Sequence, residues 1–126
     1  MNWLLAFSMV CMSASPLVAA PSAPPNAALP KAYVVLEIKV TNPAHYERYK
    51  AAIEPLIAKY GGRYLVRAGR TEAVEGTPVE GRSVLLEFPS FEQAMKFERA
   101  PETLAASEIR HDSAKSRIYV VEGVTP

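Results

Sequence analysis

Residues 32–122 run through an apolar alternation, a tyrosine-rich helical stripe, two further alternations, a second helical pattern and a last alternation. That order predicts an α+β, ferredoxin-like βαββαβ fold with a four-stranded antiparallel sheet. The paired glycines Gly61-Gly62 mark the hinge between the first helix and the second strand. A residue just past a helix end often needs a left-handed backbone, which only glycine adopts without steric cost.

The chain has 126 residues, enough for one ordinary domain. Leu4–Val10 form an apolar run, Pro16 interrupts it, and Val18-Ala19-Ala20 supplies small residues before Pro21. The pattern predicts a signal peptide over residues 1–20 and a periplasmic or secreted protein. Residues 21–31 begin PSAPPNAALP and predict an extended Pro/Ala-rich linker. The folded domain is then expected over residues 32–124. The single cysteine, Cys11, falls in the leader, so the mature domain relies on its core and any partner subunit for stability. A formal net charge of +1 argues against nucleic acid and anionic membrane as partners.

Val34, Leu36, Ile38 and Val40 form one face of the first strand, with Tyr33, Val35, Glu37 and Lys39 on the other. Asn42 is placed to cap the first helix and Pro43 to open it. Tyr46, Tyr49, Ile53, Leu56, Ile57 and Tyr60 recur at helical spacing, and Pro55 is expected to kink the helix they share. The second strand is expected from Arg63 to about Gly69, continuing over Thr71–Glu75 past a bulge at Gly69. Strict alternation there puts Arg63, Leu65 and Arg67 on one face. Gly76–Gly81 reads as a turn and Arg82–Phe88 as the third strand. Ser90 and Gln93 have capping-box spacing, a helix follows from Phe91 to about Arg99, and Pro101 closes it. A weaker helical pattern covers Thr103–Arg110, and Arg117–Glu122 supplies the fourth strand.

Two helical layers cannot cover both faces of one sheet. The face left open carries Tyr33, Val35, Leu65, Leu85, Tyr119 and Val121, too apolar for comfortable solvation. A homodimer joined sheet to sheet is the expected solution.

The same face is expected to collect Glu37, Glu87, Arg63 and Arg67, with the two carboxylates near one another. Arg63 and Arg67 could hold an anionic group there, while Glu37 or Glu87 moves a proton. The preferred reading of the cluster is architectural: four charges that neutralise each other and fix the dimer register. His45 and Tyr46 are candidates for the rim of a ligand pocket, His45 because its unperturbed pKa lies near neutrality. With only two histidines in the chain and no cysteine in the domain, a metal site is not expected. His111-Asp112-Ser113 cannot form a hydrolytic triad, because adjacent residues do not converge in space. Gly61-Gly62 lacks the spacing and lysine of a phosphate loop.

The segments Ala58–Arg67, Glu75-Gly76, Arg82 through Glu87-Phe88-Pro89-Ser90, Pro101-Glu102 and Val121-Glu122-Gly123 resemble the domain-of-unknown-function 1330 family over residues 33–124. The resemblance implies a dimeric α/β barrel, in a superfamily that includes cofactor-free monooxygenases, haem-degrading enzymes and small isomerases or decarboxylating enzymes. The family usually carries an aromatic pair in its second helix and another aromatic after the Pro-Glu step. Here Glu98 follows Phe97, and Thr103 follows Glu102. The expectation is a dimer that binds a small organic molecule between sheet and helices, with possible catalysis that needs no haem, flavin or metal. The alternative is a non-enzymatic binding or stress-associated module.

Overall fold

The computed structural model describes residues 13–16 and 28–126. The leader and linker expected over residues 1–31 lie largely outside the described residues. Seven elements follow: β1 (Ala32–Val40), α1 (Pro43–Lys59), β2 (Arg63–Arg67), β3 (Arg82–Phe88), α2 (Phe91–Arg99), α3 (Pro101–Ser113) and β4 (Ala114–Glu122). The strands make one antiparallel sheet in the order β2-β3-β1-β4. This is the expected α+β, ferredoxin-like arrangement, with the second helical stretch divided by Pro101.

The helices cover one face of the sheet. Val34, Leu36 and Ile38 of β1 and Val84, Leu86 and Phe88 of β3 are buried there, against Tyr46, Tyr49, Ile53 and Ile57 of α1 and Phe97 of α2. Local chemistry fixes each helix end. The Asn42 side chain accepts a hydrogen bond from the His45 N–H, and Pro43 opens α1. At the far end the Gly62 N–H donates to the Ile57 carbonyl and the Gly61 N–H to that of Ala58. With Gly61 at φ 83°, these two bonds make the paired closure expected of a glycine-terminated helix. Gly62 is required by close approach, since a Cβ there lies 2.6 Å from Cζ of Phe88. α1 runs through Pro55 without interruption. Ser90 Oγ accepts from the Gln93 N–H, but the Gln93 side chain does not return the bond. Its Nε2 donates to the Tyr60 carbonyl at 2.7 Å, tying α2 to the end of α1.

β2 departs from expectation. It ends at Arg67, and residues 68–81 form no strand, so the expected continuation over Thr71–Glu75 is absent. Ala68 adopts φ 55°, which turns the chain out of the sheet, and Val74 is 98% exposed. The bulge lies earlier than expected. Tyr64 pairs with Leu86 and Val66 with Leu85, leaving Leu65 as the extra residue rather than Gly69. β4 also begins earlier than expected, at Ala114, directly after α3.

Candidate functional site

The bulge decides which arginine faces which side. Arg63 opposes Glu87 on the open face, as alternation predicts. Arg67, one extra residue along, opposes Val84 and so belongs to the helix-covered face. The expected grouping of Arg67 with Glu37, Glu87 and Arg63 is therefore corrected. Glu37 and Glu87 also stand apart: Glu37 pairs with Ser83 and Glu87 with Tyr33. Four residues along a strand separate them by about 13 Å. Glu87 instead closes a network at the other end of the sheet. Its Oε1 takes Arg63 Nε and Nη2 at 2.9 Å and Lys31 Nζ at 3.4 Å. Burial alone would raise its pKa, but the hydrogen bonds and charges of Arg63 and Lys31 outweigh that and hold it below the usual carboxylate range. Glu37 faces Arg117 across β4 and makes no ion pair among the described residues.

The space between sheet and helices holds the more reactive set. A narrow cavity of about 30 Å³ is lined by Leu36, Ile53 and Phe97 and by three arginine–tyrosine pairs. Arg82 lies 5.5 Å from the Tyr46 ring centre, Arg110 5.2 Å from Tyr49, and Arg67 4.5 Å from Tyr64. Such contacts orient a guanidinium without consuming its hydrogen-bond donors. The Tyr46 and Tyr49 rings stand 5.3 Å apart. Burial raises the hydroxyl pKa of Tyr46, Tyr49 and Tyr64, so all three are neutral donors at physiological pH.

Arg110 is 7% exposed and committed to the protein, Nη1 donating to Tyr49 Oη at 3.1 Å and Nε to Ser116 Oγ at 3.2 Å. Arg67 is the one exposed lining residue and marks the mouth, where it pairs with Glu54 of α1. Glu98 of α2 is the sole acid in the lining. Burial pushes its carboxyl above the ordinary range, against the lowering effect of Arg110. Two buried polar atoms, Arg82 Nε and Thr103 Oγ1, have no protein hydrogen-bond partner.

Of the residues singled out in the sequence, Tyr46 and Arg67 line this cavity. His45 does not: it is half-buried in a shallow depression with Asn42, Ala44 and Arg48 at the start of α1. Arg82, Arg110 and Glu98 were not singled out. Arg82 was legible in principle, because it shares the even-numbered phase of Val84, Leu86 and Phe88. Arg110 shares the buried stripe of Thr103, Ala106 and Ser107 at spacings of three and four. Glu98 and Thr103, the two departures from the family's aromatic pattern, both face the cavity. No helix among the described residues is long and apolar enough to cross a membrane, and no cluster of potential metal ligands occurs among them.

The family model described as "Domain of unknown function (DUF1330)" matches residues 31–124. No curated protein matches the chain. Among solved structures, a protein of unknown function from Rhodopseudomonas palustris is similar at 17% identity and a TM-score of 0.61, covering 80% of this chain and 88% of that one. SnoaB, a cofactor-independent oxygenase from Streptomyces nogalater, is similar at 14% identity and a TM-score of 0.52, covering 77% and 96%. A dimeric ferredoxin-like protein of unknown function from Bacteroides fragilis has 19% identity and a TM-score of 0.52, covering 73% and 95%. At these identities the likeness is one of fold.

Proposed function

We propose a function for this chain, which belongs to the DUF1330 family, from its site alone: it binds a small organic molecule between sheet and helices and moves a proton on it without a cofactor. The observation that carries this reading is the enclosed cavity in which Glu98 faces three neutral tyrosines and buried arginines. A carboxyl held above its ordinary pKa is a stronger base once ionised. The proton of a carbon beside a carbonyl passes to a Glu98 carboxylate oxygen, and the electron pair it leaves moves onto the substrate oxygen. Tyrosine hydroxyls and arginine donors face the position where that negative charge develops. Return of the proton from Glu98 completes the exchange. Tyr46 and Arg67 keep the ligand-binding role expected for them, at the wall and the mouth.

The cavity volume favours a second reading, a non-enzymatic module that holds a small ligand and transforms nothing. Deuterium incorporation separates the two, with acetone in D₂O as a probe of suitable size. Wild type should accelerate the exchange, and Glu98→Gln should reduce the acceleration by about a hundredfold. Equal rates for both proteins leave only the binding module.

The site belongs, on the same proposal, to an exported homodimer. The leader-like pattern of residues 1–20 supports export. Exposed Leu65, Tyr119 and Val121 on the open face support pairing, as does the dimeric neighbour from Bacteroides fragilis.

A further inference from the structure

The cavity contains more positive charge than the protein answers. Four cations line it: Lys50, Arg67, Arg82 and Arg110. Lys50 pairs with Glu47 at 2.7 Å and Arg67 with Glu54, both on α1. Arg110 spends two donors on Tyr49 and Ser116. Arg82 has no carboxylate partner within ion-pair distance among the described residues, and its Nε is buried without a protein acceptor. Withdrawing a guanidinium from water costs several kcal/mol unless an opposite charge offsets it.

A second atom is left over on the opposite wall. Thr103 is 2% exposed, and its Oγ1 has no protein partner, although the next hydroxyl on that stripe, Ser107 Oγ, donates to the Thr103 carbonyl at 2.8 Å. Buried hydroxyls are nearly always satisfied. An orphaned cationic N–H from β3 and an orphaned O–H from α3 thus line one small cavity.

We propose that Arg82 and Thr103 form the seat of a carboxylate, so that the ligand class of this site is a small organic monocarboxylate. The inference rests on the small-molecule reading of the same cavity. Two donors and a volume of about 30 Å³ suit a planar head with two oxygens and one charge. A phosphate, with four oxygens and up to two charges, requires more donors than remain free. The carboxylate sits at the Arg82 end, and the rest of the acid points toward the mouth at Arg67.

The test is thermal denaturation and titration calorimetry of the full folded domain with acetate and butyrate. Acetamide and butyramide serve as uncharged isosteres, and sodium chloride at equal ionic strength as the control. Both acids should raise the melting temperature, while the amides and chloride should not. Butyrate binding more tightly than acetate identifies a larger acid whose tail lies toward the mouth; equal affinity identifies the small acid itself. Arg82→Gln and Thr103→Val should each weaken binding by about tenfold, and Thr103→Ser should restore it, which separates a lost hydroxyl from a damaged fold. Amides that bind as well as the acids overturn the carboxylate seat while leaving a small-molecule site. Chloride acting like acetate identifies an adventitious ion only, and overturns it too. Binding by none of the probes removes the site altogether. Acid binding that depends on Arg82 but leaves acetone exchange insensitive to Glu98→Gln keeps this inference and removes the proton transfer.

Discussion

Glu98 shows how burial turns an ordinary side chain into a reactive one. Its pKa in the fold is raised from 4.5, chiefly by burial. The folded state therefore prefers the protonated form: the contribution to stability is complete below the unfolded value and is lost as pH rises through the folded one. Glu98→Gln keeps the shape and removes the charge. Urea midpoints of variant and wild type should coincide near about pH 4 and separate at about pH 8, with the variant the more stable. A constant difference across that range means Glu98 titrates as an exposed residue. The sequence offered no periodic signal for Glu98, because a charge beside buried Phe97 on a short helix reads as the solvent side. Arg82 was readable by extending the alternation of β3 backwards. Arg67 was misread, because alternation assumes that every residue of β2 finds one partner.

At the scale of elements, the chain's punctuation was the most legible part. Asn42-Pro43, Gly61-Gly62, Ser90 and Pro101 each mark a boundary, since capping and left-handed closure are short-range effects carried by single residue types. The end of β2 was not legible. Thr71–Glu75 has strand-like composition, but β3 has no free length to pair with it once Arg67 faces Val84. Gly62→Ala tests how tightly the first hinge is packed. The added methyl meets Phe88 at 2.6 Å and Ile57 at 3.1 Å, inside the core. Chemical denaturation should show a loss of about 1–3 kcal/mol. A neutral result means that the Phe88 ring shifts freely, and that the glycine serves its backbone alone.

Across the whole molecule, one sheet separates two surfaces. The helix side holds core and cavity; the other displays Leu65, Val66, Tyr119 and Val121, each 39–46% exposed. Leu85 of β3 lies among them, paired with Val35 and Val66. Sedimentation velocity should show a dimer for wild type and a monomer for Leu85→Lys, with circular dichroism unchanged. A monomeric wild type removes the paired-sheet arrangement. The overall fold was legible because it depends on many residues acting together, whereas the cavity depends on a single bulge and three side chains. β3 serves both surfaces in turn: Arg82, Val84 and Leu86 face the cavity, while Ser83, Leu85 and Glu87 face outward. Ligand preference and subunit choice are thus written in alternate codons of one short stretch. After a gene duplication, a descendant could change what it binds while still assembling with its parent, giving mixed pairs with two different chambers.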